Sequence, residues 1–197
     1  MNIILASTSE SRRNVLTAAG VPFTAVPPRL DEDLIKNALL KDYTPPEKIA
    51  GALADAKALR VSQANPTALV LGGDQTLIFD GELISKCSDL AEARALLERL
   101  RGKQHRLVGA VTLASGNAVV WRHVETADLW MRHFSDAFLD HYLATEGTSI
   151  LSAVGCYKLE GLGAQLFHRV KGDYFSILGL PLLPLLAELR RQGVIAK

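Results

Sequence analysis

The chain lacks most of the features that would mark a metal scaffold, a nucleic-acid binder or a membrane protein. It has only two cysteines, Cys87 and Cys156, at no CxxC or zinc spacing. That argues against a disulfide framework or a structural zinc and fits a reducing cytoplasm. The five histidines (His105, His123, His133, His141, His168) show no HxH or HxxxH spacing, so each reads as a surface or core residue rather than a metal ligand. A net charge of +1 leaves no global basic field to attract nucleic acid. No G-x-G-x-x-G opens a helix and no Walker A motif is present, which argues against a Rossmann or P-loop nucleotide site. Long apolar runs are missing too. The most apolar late stretch, Ile177 to Ala187, is too short to span a bilayer and carries Pro181 and Pro184. The opening MNIILASTSESRR puts no basic segment ahead of an apolar one, so no secretory signal is expected. Neither a membrane nor a nucleic acid is expected as a partner.

What is present suits an ordinary globular protein. At 197 residues, 48% apolar and 22% charged, the chain is long enough for a substantial core. Strand-like and helix-like stretches interleave without a regular βαβ alternation and include at least two hairpins. The pattern predicts a mixed α/β sheet. Strands are expected at Asn2 to Ala6, Val21 to Val26, Leu69 to Lys86 as a hairpin, Arg106 to Phe134 with a turn at Ser115-Gly116-Asn117, and His168 to Ile177 with a break at Gly172-Asp173. Helices are expected from Glu10 to about Ala19 with Ser9 as cap, Glu47 to Ala64, Asp89 to Leu100 with Ser88 as cap, Asp136 to Ala144 with Ser135 as cap, and from Pro181 to about Gln192.

The hairpin Leu69 to Lys86, LVLGGDQTLIFDGELISK, is the centre of the chemical argument. Asp80-Gly81 between apolar runs signals a tight turn, because a primed turn needs positive φ and glycine supplies it at low cost. Asp74 follows Gly72-Gly73, where a ligand or another backbone can approach closely. Lys86 stands at the far end of the returning strand. A carboxylate and an ammonium on one hairpin suit a metal-bound phosphate; a strand-end carboxylate that merely ties down a loop suits the same pattern.

Three further features stand out. Arg12 and Arg13 fall in the first turn of the first helix, where the dipole prefers negative charge. An anion held between the free amides and the arginines would resolve that conflict; two solvated arginines are the alternative. Asp31-Glu32-Asp33 offers hard oxygen ligands for a cation or a solvated helix start. Lys57 lies in the long helix, where a single lysine is most simply surface.

In combination, LASTSESRR, LDED, Lys57, GGDQ, ISK, Gly102–His105, EGLG and GLPL resemble the Maf family of nucleotide pyrophosphatases, in order and spacing along nearly the whole chain. The resemblance implies one domain over residues 1–197, with two lobes and no separable linker. It implies an elongated mixed sheet flanked by helices, with a cleft, as in inosine-triphosphate pyrophosphatases. The implied activity is hydrolysis of a nucleoside triphosphate to the monophosphate and pyrophosphate, with Mg2+ or Mn2+, in a cytoplasmic homodimer. Residue by residue, Ser7, Ser9, Arg12, Arg13, Lys57 and Lys86 fall on phosphate-binding positions. Glu32 and Asp74 fall on the metal site, and Asp74 on the catalytic base. Ser11, Gln75 and Glu160 fall on substrate-specificity positions. Asp74-Gln75 with Glu160-Gly161 looks like the branch that prefers 7-methyl-GTP, since a carboxylate can accept from both N1–H and the 2-amino group of guanine. Three departures accompany this. Ser11 replaces an aromatic residue, Cys87 a proline and Glu10 a proline. A different class, a nucleotide-binding regulator of septum formation with vestigial catalysis, and an inosine-type house-cleaning enzyme are the alternatives.

Overall fold

The computed structural model describes residues 2–42 and 44–196. They form seven strands: β1 (Ile3–Ala6), β2 (Thr24–Ala25), β3 (Leu69–Phe79), β4 (Glu82–Ile84), β5 (Gln104–Ser115), β6 (Ala118–Met131) and β7 (Phe167–Lys171). The helices are α1 (Glu10–Ala18), α2 (Glu32–Lys41), α3 (Pro46–Ala64), α4 (Leu90–Leu100), α5 (Asp136–Glu146), α6 (Tyr174–Ile177) and α7 (Leu182–Arg191). The sheet runs in the order β2-β1-β3-β5-β6-β7, with β4 against β3. Pairing is parallel between β1 and both β2 and β3, and antiparallel for β3–β4 and β6–β7. This is the mixed, open α/β sheet that the sequence pattern predicts.

The chain divides into two compact units. One comprises residues 1–75, 108–125 and 173–197, and the other residues 76–107 and 126–172. In the first unit β1 is buried on both faces, as a parallel strand covered by helices should be. Ile3, Leu5, Leu69 and Leu71 join Val15 and Leu16 of α1 and Leu182, Leu185 and Leu189 of α7 in one core cluster. Ile4, Ala6 and Val70 join Val61 of α3 in a second cluster. The strand period of two therefore sends alternate side chains to α1 and α7 or to α3.

Gly72 sets the approach of α3. A Cβ there would lie 2.2 Å from the Ala54 carbonyl oxygen and 2.8 Å from the Ala58 nitrogen. With only hydrogens at this point, the helix backbone rests directly on the strand, and Lys57 is carried with it.

The second unit is built on hairpin geometry and aromatic packing. Asp80 and Gly81 turn at φ 51° and 81°, as the Asp-Gly signal predicts, and the ladder runs from Phe79↔Glu82 to Leu77↔Ile84. The Gly102–His105 motif is structural in this unit. A Cβ at Gly102 would lie 2.3 Å from the His133 ring, and His105 is buried with its Nε2 2.7 Å from the Tyr157 hydroxyl.

Three local expectations are corrected. Val21 to Val26 is a strand only at Thr24–Ala25, because Val21 turns into the core instead of continuing the ladder. The cap of α4 is Asp89, whose carboxylate accepts from Glu92 N; the expected Ser88 instead gives its own N–H to the Glu92 carboxylate. The break expected at Gly172-Asp173 is present, but the residues after it are not strand. Asp173 accepts from Ser176 N at 2.7 Å and starts the single-turn helix α6.

Candidate active site

Strand β3 carries a different chemistry on each face. Val70, Gly72 and Asp74 share the α3 side, while Leu71, Gly73 and Gln75 share the α1 side. On the α3 side, Lys57 Nζ lies 2.7 Å from Asp74 Oδ1 and 2.9 Å from Glu32 Oε2. The Lys57 and Asp74 side chains are only 6% and 9% exposed, while Glu32 is 39% exposed. The site is therefore a desolvated pair with one carboxylate open to water. Lys57 is not the surface lysine that its helix alone suggests. Glu32 arrives in the first turn of α2, where Asp31 caps the helix by accepting from Leu34 N. Of the three acids, one caps, one reaches the cluster, and Asp33 pairs with Lys36 at 3.3 Å.

On the opposite face, Arg12 turns inward and is buried. Its Nε donates to the Gly179 carbonyl at 2.8 Å and its Nη1 to Ser7 Oγ at 3.4 Å. A Cβ on Gly73 would sit 3.1 Å from Arg12 Nε, so the bare β3 backbone is the floor under the guanidinium. Burial lowers the Arg12 pKa, while the charges of Asp74 and Glu32 act to raise it. Among the described residues Arg12 makes its hydrogen bonds to neutral acceptors only, so a buried cation stands without a carboxylate bound to it.

The loop between β1 and α1 is ordered by its own hydroxyls. Ser7 Oγ accepts from Ser9 N at 3.1 Å, and Ser9 Oγ accepts from Arg12 N at 3.4 Å as the helix cap. Arg13 is exposed one residue on. The dipole conflict read from the sequence is thus met at Arg12 by a carbonyl and a hydroxyl.

Ser7, Ser9, Arg12, Arg13, Glu32, Lys57, Asp74 and Gln75 all belong to the first unit. Lys86, just past β4, and Glu160, in a turn, are exposed residues of the second unit. Ser11 and Gln75 direct their donors to backbone. Ser11 Oγ donates to Leu178 O at 2.5 Å, and Gln75 Nε2 to Ser176 O and Ile177 O at 2.8 and 3.0 Å. Sequence reasoning did not find Gly179, Ser176 or Gly73 as parts of this site. Gly73 and Gly179 carried a signal, in the GGDQ and GLPL motifs, while Ser176 carried none.

Among the described residues no group of three or more His, Cys, Asp or Glu side chains could hold a metal. Glu32 and Asp74 nevertheless aim two hard oxygens at one cationic point, now the Lys57 ammonium. That donor set fits Mg2+ or Mn2+, which take one or two protein carboxylates and complete their shell with water and phosphate.

A mixed α/β sheet with a lysine-bound carboxylate, Asp74, on one face of β3 and a buried guanidinium on the other is a candidate site for an anion. The model of the Maf-like protein family matches residues 2–192, and the chain belongs to that family. It is 48% identical over 195 residues to the nucleoside triphosphate pyrophosphatase of Granulibacter bethesdensis, covering 99% of both chains. It is 50% identical over 193 residues to the protein of the same name from Caulobacter vibrioides, covering 98% of this chain and 96% of that one. It is 44% identical over 195 residues to the 7-methyl-GTP pyrophosphatase of Brucella abortus, covering 99% and 98%.

Proposed function

We propose that the chain is a metal-dependent nucleoside triphosphate pyrophosphatase. Its substrate is a modified or non-standard purine nucleotide, with 7-methyl-GTP first among them. The observation that carries this reading is the convergence of Glu32 and Asp74 on Lys57, together with a buried guanidinium whose hydrogen bonds, among the described residues, go to a carbonyl and a hydroxyl. Phosphoryl transfer needs charge neutralisation and positioning more than covalent help. The Ser7–Ser9 loop, Arg12, Arg13, Lys57 and Lys86 hold the phosphates. Lys57 fixes the Asp74 carboxylate in place, and Asp74 orients an attacking water and takes its proton. The new P–O bond forms as the anhydride P–O bond breaks and pyrophosphate leaves.

Glu32 and Asp74 are the residues that would hold the divalent ion. When bound, that ion neutralises phosphate charge and acidifies water. Glu160 reads the base edge by accepting from two adjacent guanine donors. A homodimer and a cytoplasmic location belong to the same proposal and rest on the family resemblance. No helix among the described residues is long and apolar enough to cross a membrane. A regulator with vestigial catalysis is not favoured. A pure binder has no use for a desolvated Lys57–Asp74 pair, and relatives over nearly the full length bear pyrophosphatase names.

The test is a nucleotide panel with Mg2+ or Mn2+, reading pyrophosphate release. Faster release from 7-methyl-GTP than from GTP, UTP or dTTP supports the reading. Release from dITP or XTP but not methylated GTP makes the chain an inosine-type enzyme. No release from any nucleotide at high enzyme concentration returns the regulator.

A further inference from the structure

Four consecutive carbonyls next to the site are each held by a side chain from the site. Gln75 donates to those of Ser176 and Ile177, Ser11 to that of Leu178, and Arg12 to that of Gly179. The reason lies in α6. Ser176 O already accepts from Gly179 N, but among the described residues the carbonyls of Ile177, Leu178 and Gly179, at and beyond the end of this single turn, have no backbone donor, and buried carbonyls require donors. The segment is also pinned elsewhere. Asp173 accepts from Ser176 N at 2.7 Å, Ser176 Oγ donates to Glu125 at 2.9 Å, and Gly179 N donates back to Ser176 O at 3.1 Å. Gly179 sits at φ 96°, a conformation side chains disfavour, which turns its carbonyl onto Arg12 Nε.

The order of the bonds matters. Gln75 and Ser11 fix the three carbonyls before Gly179, and Gly179 fixes the guanidinium. We propose that Gln75 and Ser11 are positioning residues for Arg12, setting its guanidinium through the Ser176–Gly179 segment, and do not read the base. This gives the residue beside Asp74 and the serine beside Arg12 a role shared by every substrate, whatever its base. It rests on the reading of Arg12 as a phosphate-binding group.

The probe that separates the two roles is inorganic tripolyphosphate, which carries the phosphates and no base. With Mg2+ present, its affinity is measured by calorimetry for the wild-type chain and for Gln75→Ala, Ser11→Ala, Ser11→Thr and Arg12→Lys. The values of kcat/KM are measured across the nucleotide panel. The expected result for Gln75→Ala is a loss of about tenfold in tripolyphosphate affinity, with the same factor for every nucleotide and their order unchanged. Ser11→Ala should lose about threefold, and Ser11→Thr, which keeps the hydroxyl, should recover it. A melting temperature that falls while tripolyphosphate affinity stays at the wild-type value means a structural role alone, and overturns the inference. So does a changed nucleotide order with tripolyphosphate binding intact, which returns Gln75 to base reading. Should Gln75→Ala fail to fold, the Ser11 pair decides on the same criteria. Unchanged tripolyphosphate binding in Arg12→Lys sinks the phosphate reading of Arg12 itself. A loss there, with none in Gln75→Ala or Ser11→Ala, sinks only the positioning role.

Discussion

The two units treat buried polar groups in opposite ways. In the second unit burial keeps them neutral. His105 is almost fully enclosed, and desolvation brings its pKa down to about 4. Burial pushes the Tyr142 and Tyr157 hydroxyls well above the usual tyrosine range, and the Cys156 thiol up to about 12. In the first unit burial encloses Arg12, Lys57, Asp74 and Glu188, side chains of the acidic and basic types. Desolvating an ion costs several kcal/mol where desolvating a hydrogen-bonded neutral group costs little. Buried charges gathered from several elements at one place mark a candidate functional site. Glu188 shows what further condition is needed. Its partners Arg191 and Gln192 come from the same helix end, so it closes a helix rather than a site. Lys57, Asp74 and Glu32 come from three different elements.

Asp74→Asn tests that distinction most severely. Losing a general base lowers the rate by about 10²–10⁴-fold. The fold should survive, because Lys57 keeps Glu32 at 2.9 Å. Pyrophosphate release measures the first effect and near-UV circular dichroism the second. A near-normal rate in the Asn variant removes Asp74 from its role as base. Lys57→Met removes the cation and leaves two carboxylates facing each other, at an expected loss of about 3–5 kcal/mol at neutral pH. Urea unfolding measures it, and a loss under about 1 kcal/mol would mean that the cluster is already solvated. Combined with Asp74→Asn, the Lys57→Met penalty should shrink, since one of the two stranded charges is gone.

Much of this was legible in the chain, for identifiable reasons. Asp80-Gly81, Ser9, Ser135 and the helical spacing of α3 are local signals, and each gave its element nearly to the residue. The helix α6 was read as strand because Asp173 looked like an interruption, although its carboxylate caps three residues on. Asp74 was found because glycines and a hairpin frame it. Lys57 became a site residue only through the family resemblance, since no local pattern distinguishes a lysine that a glycine on another strand draws inward. The partners of Gln75 and Ser11 lie 101 and 167 residues away, beyond any periodicity.

The opposite treatment of charge can be tested from the neutral side as well. His105 is held neutral, with its pKa at about 4 when folded against about 6.5 unfolded. Between those values the unfolded chain binds more protons, so stability is complete above about pH 6.5 and falls toward pH 4. The loss is at most about 3 kcal/mol. His105→Gln retains a partner for the Tyr157 hydroxyl and does not titrate, so its stability should be flatter across that window. Urea unfolding at pH 7, 5.5 and 4.5 gives the slopes, and equal slopes would mean that His105 is protonated inside the fold.

The smallest effect concerns the loop between β1 and α1. Ser9 caps α1 by accepting from Arg12 N, and its own N–H goes to Ser7 Oγ. Ser9→Ala removes one cap hydrogen bond, worth about 1 kcal/mol of stability. If the cap only starts a helix, the thermal midpoint falls and tripolyphosphate affinity does not move. If Ser9 also binds phosphate, affinity falls by more than the stability change explains, because Arg12 keeps Gly179 and Ser7 as partners in either case. Ser9→Asp separates the two further. Asp caps as well as Ser, so the midpoint should return. The carboxylate would repel the phosphates, so affinity should fall below that of the Ala variant. A variant that recovers stability and affinity together would restrict Ser9 to capping.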